Sequence, residues 1–305
     1  MTDETRDRLV EELHFRSGPY QLFGKFRLQD TAAPTIVLLH GLGFHSFEYD
    51  LLAPLLARGG FNSLAFDHRC HGRSEGPRGH WRLQELVDDA TCAIDVVARR
   101  TSGPLGLFGN SMGAIVGLYA AIREPRVGSL TVSSCPTRVA DFASTPFRRS
   151  LLGLMQASAR VVPLRISVNH FIPYRRILLK KSVVQRVRHD PLIADARRFA
   201  PSTYADMFEW NAMPIIGDIR IPLLVLYALH DGLQPPEQST MLFDAARCQK
   251  EIRALDTGHV PDLENPDLLA PILIEWFERT LCQVQTANEK SPDLKISEGV
   301  SPKVR

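Results

Sequence analysis

PLGLFGNSMGAIVGLYAAIREP, residues 104–125, passes from a short apolar run into a helical pattern through a turn built on one serine. PLGLF suits a buried strand, and MGAIVGLYAA repeats its apolar residues as a helix does. Between them Gly109-Asn110-Ser111-Met112-Gly113 matches G-x-S-x-G. At ordinary Gly and Ser frequencies that pattern arises by chance in roughly one chain in ten of this length. Its setting is what makes it informative. A strand–turn–helix arrangement lifts a strained serine to a sheet edge, and flanking glycines let the backbone pass closely. A helix starting at Met112 also directs its positive end at Ser111. The plainer alternative is a serine that only caps a helix.

Outward from this turn, apolar runs alternate with helical patterns. TIVLLH (35–40), FNSLAFD (61–67), VGSLTVSS (127–134) and IPLLVLYA (221–228) read as strands. Candidate helices lie near 46–58, 81–99, 112–123, 235–247 and 266–282. Strands apolar at every position suit a sheet covered on both faces, and the alternation implies parallel strands with crossover helices. LHFRSGPYQLFGKFRLQ (13–29) alternates and carries glycine in its turns, as an antiparallel pair opening the sheet would. The expected class is α/β, with a mostly parallel central sheet and helices on both faces.

Residues 136–217 interrupt this rhythm with no clear strand. They read as helices, FRRSLLGLMQASARV and YRRILLKKSVVQRVR and a segment through TYADMFEWNAM, punctuated by prolines. Residues 136–220 hold fourteen Lys/Arg against six Asp/Glu, although the whole chain is only +2. A helical insertion between two strands is expected to cap the C-terminal edge of the sheet, where open α/β folds bind ligands. The core is then 1–135 with 218–283, and the polar segment 284–305 is expected to be a disordered tail.

A serine hydroxyl needs an imidazole to take its proton. Behind such a nucleophile turn the acid and then the base follow along the chain, which leaves His170, His189, His230 and His259. The first two fall in the Arg-rich insertion, and His230 adjoins the best acid too closely to share it. His259, in TGHVPDLENP (257–266), hangs in a Gly- and Pro-bounded loop between EIRAL and the last helix. Asp231 directly follows IPLLVLYALH, which places a carboxylate at the end of a buried strand, suited to fixing the imidazole tautomer. The competing role for Asp231 is a helix cap. Asp256 and Asp262 share the histidine's loop and read as turn or surface residues.

Acyl transfer also needs two N–H donors for the oxyanion. Met112, after the nucleophile, supplies one, and Leu42 in His40-Gly41-Leu42-Gly43 is the natural second. Those glycines do not form a dinucleotide turn, because Ser46 stands where the third glycine belongs. His40 is expected to brace the loop. Asp67-His68-Arg69-Cys70-His71-Gly72-Arg73-Ser74-Glu75-Gly76 has two His and a Cys, yet lacks a matching ligand pair at zinc spacing, and reads as a structural turn.

HGLGFHS, FDHRCHGRSEG, GNSMG, the Asp of LHDGLQPPE and the His of TGHVPDLENP together resemble the α/β-hydrolase superfamily over roughly residues 10–282. FDHRCHGRSEGP is most similar to the monoacylglycerol lipase and lysophospholipase group, also called serine aminopeptidase-like hydrolases. Cys70 stands where that group usually has glycine, and Ala114 where a second glycine is frequent after the elbow. The resemblance implies a catalytic triad of Ser111, Asp231 and His259, Leu42 and Met112 as oxyanion donors, a mobile helical cap, and a fatty acyl ester as substrate. The elbow also resembles that of hydrolases cleaving carbon–carbon bonds in ring-fission products, whose acid substrates would pair with cap arginines. A catalytically dead scaffold is the third alternative, although no triad member is missing.

Bulk properties agree with an enzyme of this kind. A length of 305 residues, 44% hydrophobic and 23% charged, suits one large domain with an insertion. The near-neutral balance argues against nucleic acid as partner. MTDETRDRLVEELHF (1–15) lacks the apolar stretch of a secretory signal, and five irregularly spaced cysteines read as reduced thiols. A cytoplasmic protein acting on a small-molecule or lipid ester is expected, with no cofactor and no metal. The basic cap is expected to be an ordinary amphipathic one with a solvated charged face, with weak peripheral membrane contact as the alternative.

Overall fold

The computed structural model describes residues 10–139, 165–170 and 172–282. Strands whose residues are all apolar or small must be covered on both faces, and those of the central sheet are. The strands are β1 (Val10–Ser17), β2 (Tyr20–Arg27), β3 (Thr35–Leu39), β4 (Asn62–Phe66), β5 (Leu105–Asn110), β6 (Val127–Ser133), β7 (Ile166–Ser167), β8 (Arg198–Phe199), β9 (Leu223–Ala228) and β10 (Lys250–Leu255). Every residue of β3, β4 and β5 is buried. Eight of these strands form one sheet in the order β1-β2-β4-β3-β5-β6-β9-β10. The first two pair antiparallel, β2 meets β4 antiparallel, and the remaining pairings are parallel.

Helices α1 (Leu52–Arg58), α2 (Leu83–Arg100) and α3 (Met112–Arg123) cover the first half. Alternation along β5 sends Leu107 to one face, among Val37, Ile94 and Ile115, and Phe108 to the other, among Ile36, Leu52 and Leu273. Each such side chain, fully buried, contributes roughly 1.5–3 kcal/mol of transfer free energy. From β3 the chain moves to one side for β4 and then to the other for β5. The strand order therefore reverses beside the C-terminal end of β3, the kind of crevice where open α/β sheets bind ligands.

The insertion contributes α4 (Tyr174–Ile177), α5 (Lys181–His189), α6 (Pro191–Ala196) and α7 (Pro201–Phe208), followed in the core by α8 (Pro236–Ala245), α9 (Pro261–Glu264) and α10 (Pro266–Phe277). Three expectations are refined. The 46–58 helix is a 3-10 turn, Ser46–Tyr49, followed by α1. YRRILLKKSVVQRVR splits into α4 and α5 because the Leu179 and Lys180 N–H groups donate to Glu264 at 2.6 and 2.7 Å. The insertion also holds a two-residue antiparallel pair, β7 with β8. FRRSLLGLMQASARV and the 284–305 tail lie outside the described residues. No helix among the described residues is long and apolar enough to cross a membrane.

Candidate active site

Ser111 sits between β5 and α3 with φ 54° and ψ −112°, a conformation rare for a residue with a side chain. The surroundings enforce it. Its N–H donates to Ser133 O at 2.9 Å. A Cβ on Gly109 would lie 2.2 Å from Gly113 O, and one on Gly113 would lie 1.9 Å from Leu39 O. Both glycines of the motif are therefore required by backbone contact between the turn, α3 and β3. In register, Leu39 pairs with Gly109 and Asn110 with Ser133, so the loops after β3, β5 and β6 open at one edge.

Loops after β9 and β10 bring the remaining groups to that edge. The Ser111 hydroxyl lies 3.0 Å from His259 Nε2, and His259 Nδ1 lies 2.7 Å from Asp231 Oδ2. Asp231 divides its oxygens: Oδ1 accepts the Leu233 and Gln234 N–H groups, each at 2.8 Å, leaving Oδ2 for the imidazole. Burial raises the Asp231 carboxyl, but His259 and those two amides outweigh burial and hold it below its usual range. Asp231 does not cap the following helix, whose N-cap is Pro235 without a side-chain bond; it closes the turn before it through the oxygen that His259 does not use.

The other histidines fall elsewhere. His230 faces the exposed Asp256, its Nε2 at 2.8 Å, and His189 on α5 is exposed, its Nδ1 2.7 Å from Gln185 O. His170 ends the turn Val168–His170 in the insertion.

Neither Leu42 N–H nor Met112 N–H donates to another described residue, whereas neighbouring Phe44 and Ala114 are tied to Gly41 O and Ser111 O. Two unpaired amides thus flank the serine. His40 braces their loop as expected: its Nδ1 lies 2.9 Å from Gly41 O, and its Nε2 accepts the His68 N–H at 3.0 Å. The Asp67–Gly76 stretch is a turn. Asp67 accepts the Ser46 and Arg73 N–H groups, each at 2.7 Å, and Arg69 pairs with buried Asp89 at 2.6 Å. Cys70 has φ 65°, the left-handed conformation that explains why glycine is usual there.

One expectation is overturned. Asp262 is fully buried, not a turn or surface residue, and it faces the equally buried Glu48. Glu48 Oε2 accepts the Gly41 N–H at 2.9 Å. Burial and the adjacent Asp262 push Glu48 well above its usual range, and burial raises Asp262 to about 6. Two carboxyls so close cannot both ionise, so they share a proton near neutrality. Nothing in the sequence pairs these acids; the one local signal is that Glu48 sits in the apolar stretch FHSFEYDLL. With its amide nitrogen turned towards them, Asn110 donates to His259 O at 3.2 Å and Ser133 O at 3.3 Å, joining elbow to histidine loop.

Ser111 and His259 line a cavity of about 40 Å3 together with Leu42, Ile172, Ile177 and Arg197. Part of its wall therefore comes from the insertion. The three insertion residues were not anticipated individually, because no periodicity marks which of its many apolar and basic residues turn inward.

The model of the family described as serine aminopeptidase, S33, matches residues 30–259. Rattus norvegicus monoglyceride lipase is 31% identical over 268 residues, covering 85% of this chain and 86% of its own. The monoacylglycerol lipase of Mycolicibacterium smegmatis is 30% identical over 213 residues, 68% of this chain and 74% of its own. Among solved structures, the monoacylglycerol lipase of Paleococcus ferrophilus superposes with a TM-score of 0.72 at 25% identity, over 85% of this chain and 99% of that one.

Proposed function

The chain belongs to the serine aminopeptidase, S33, family of α/β-hydrolases, near its monoacylglycerol lipase group, and on that premise we propose that it cleaves a lipid-like carboxylic ester through an acyl-enzyme on Ser111. The carrying observation is the continuous line Asp231–His259–Ser111 ending beside the two unpaired amides of Leu42 and Met112.

In this reading His259 Nε2 takes the hydroxyl proton as Ser111 Oγ attacks the ester carbonyl. The negative charge gathers on the carbonyl oxygen, where the Leu42 and Met112 N–H groups and the start of α3 stabilise it. Asp231 holds the tautomer with Nδ1–H towards itself and offsets the positive charge that forms on the ring. The imidazolium then protonates the leaving alcohol. Water, deprotonated by the same ring, attacks the acyl-enzyme and frees the acid.

Residues 136–217 serve in this reading as a cap. The cavity of about 40 Å3 beside Ser111 admits little more than the reacting group, and in this reading an acyl chain enters past Ile172, Ile177 and Arg197. The monoacylglycerol and monoglyceride lipase relatives support a monoacylglycerol-type substrate, and a lysophospholipid-type ester belongs to the same reading through the FDHRCHGRSEGP resemblance. The test is labelling with a fluorophosphonate, paired with turnover of p-nitrophenyl esters of graded length. Ser111 is expected to be the labelled residue, and Ser111→Ala to lose several orders of magnitude in turnover. Labelling elsewhere, or full activity in that variant, would overturn the mechanism.

A further inference from the structure

Arg197, at the C-terminal end of α6, is a charged side chain only 2% exposed, and it lines the cavity that holds Ser111 and His259. Its backbone is anchored on both sides: its N–H donates to Ile193 O at 3.0 Å, and its carbonyl accepts the Val168 N–H at 2.9 Å. The side chain then runs across the oxyanion loop. Gly43, at φ 72°, leaves room for it, since a Cβ there would lie 2.4 Å from Arg197 Cγ. The guanidinium stacks over Tyr174, with Cζ 4.7 Å from the ring centre. It donates to Asn169 Oδ1 at 2.7 Å, Ile172 O at 2.8 Å and, at the long distance of 3.5 Å, Leu42 O.

All three acceptors are neutral, and no carboxylate among the described residues pairs with it. Arg69, another buried arginine, has Asp89. Burial lowers Arg197 to about 10, which leaves it charged at neutral pH. A buried cation without a counter-ion is costly, and the cost falls when an anion arrives to share the site. Two of the five guanidinium N–H groups remain unused by these contacts, and a planar fork of this kind matches carboxylate and phosphate oxygens.

We propose that Arg197 forms a subsite for an anionic group of the substrate, a carboxylate or phosphate carried a few bonds from the scissile carbonyl. The subsite rests on the esterase reading above for its link to turnover, though not for binding itself. It makes the enzyme selective for acidic esters over neutral ones of equal size, and it couples the anion to the cap, because Asn169, Ile172 and Tyr174 hold the same guanidinium. The rival role is a strut between insertion and oxyanion loop, which would serve all substrates alike.

Two matched pairs separate the sources of the anion. Phenyl hemisuccinate against phenyl butyrate places a carboxylate on the acyl side, and 1-decanoylglycerol 3-phosphate against 1-decanoylglycerol places a phosphate on the alcohol side. In the wild type, kcat/KM is expected to favour the anionic member of one pair, which identifies the source. In Arg197→Gln that preference should fall roughly 10- to 150-fold, the loss expected for a charged hydrogen bond. Arg197→Lys, which keeps the charge, should retain part of it. Absence of a preference in both pairs, or equal losses on neutral and anionic members, overturns the proposal. Calorimetry with succinate and with glycerol 3-phosphate on Ser111→Ala needs no turnover. Binding that disappears when Arg197→Gln is added supports the subsite even if no ester is cleaved, and binding of neither anion to Ser111→Ala counts against it.

Discussion

Glu48 and Asp262 are two acids sealed against each other beneath the loop that carries Leu42. Glu48 must accept the Gly41 N–H and also, when protonated, donate to Asp262. A glutamine does both, with its oxygen on Gly41 and its amide nitrogen on Asp262. Glu48→Gln should therefore cost less than about 1.5 kcal/mol, the size of one ordinary hydrogen bond. Glu48→Ala leaves a buried carboxylate without its partner and should cost about 3 kcal/mol or more. Urea denaturation of both variants checks this, and equal losses would show that the shared proton is not what holds the pair.

Between elements, the insertion is fastened to the histidine loop by Glu264 at the end of α9. Its Oε1 accepts two consecutive amides, Leu179 and Lys180, where α4 stops and α5 begins. Lys180 Nζ returns the contact by donating to Glu264 O. Phe44, Tyr174, Ile177, Val260 and Leu263 then bury a small apolar cluster that spans the loop after β3, the insertion and the loop of His259. Glu264→Ala strips both amides of their acceptor, at about 1–3 kcal/mol for the groups left unsatisfied. Hydrogen exchange at residues 179–183 should accelerate roughly tenfold or more, while Glu264→Gln, which keeps the acceptor, should stay near wild type. Unchanged exchange in Glu264→Ala would mean that the apolar cluster alone docks the insertion.

At the scale of the molecule, acid stability is set by buried groups pulling in opposite directions. Burial lowers His40 and His71 to about 3 and pushes His68 well below its usual range. Unfolded histidines bind protons near 6.5, so this contribution is complete above 6.5 and is lost as pH falls towards 3. Glu48, Asp262 and Asp89 are raised by burial instead, Asp262 to about 6. Their contribution is present below the unfolded values near 4 and is lost as pH rises through the folded ones. From pH 6.5 to about 4.5 the two sets act in opposite directions. Below about 4 the unfolded carboxyls are protonated too, and the histidines act unopposed at about 1.4 kcal/mol per pH unit each. Unfolding free energy should thus fall more gently between pH 6.5 and about 4.5 than it does below about 4. His68→Phe keeps the ring packed on Phe66 and should make the acid slope shallower. A slope no steeper below pH 4 than above 4.5 would contradict this account.

Local patterns were enough to read the sheet and the strand–turn–helix that carries Ser111. A strand such as Thr35–Leu39, apolar from Ile36 on, admits only burial on both faces, and G-x-S-x-G between strand and helix admits few backbone paths. Those constraints act over a few residues, so the string of letters carries them. Asp262 beside Glu48, Arg197 beside Ser111 and Glu264 beneath Lys180 were decided only when distant segments packed together. A carboxylate or guanidinium has the same letter whether solvated or buried. Its charge state, partners and chemical use depend on the dielectric and the neighbours that the strand order brings to it.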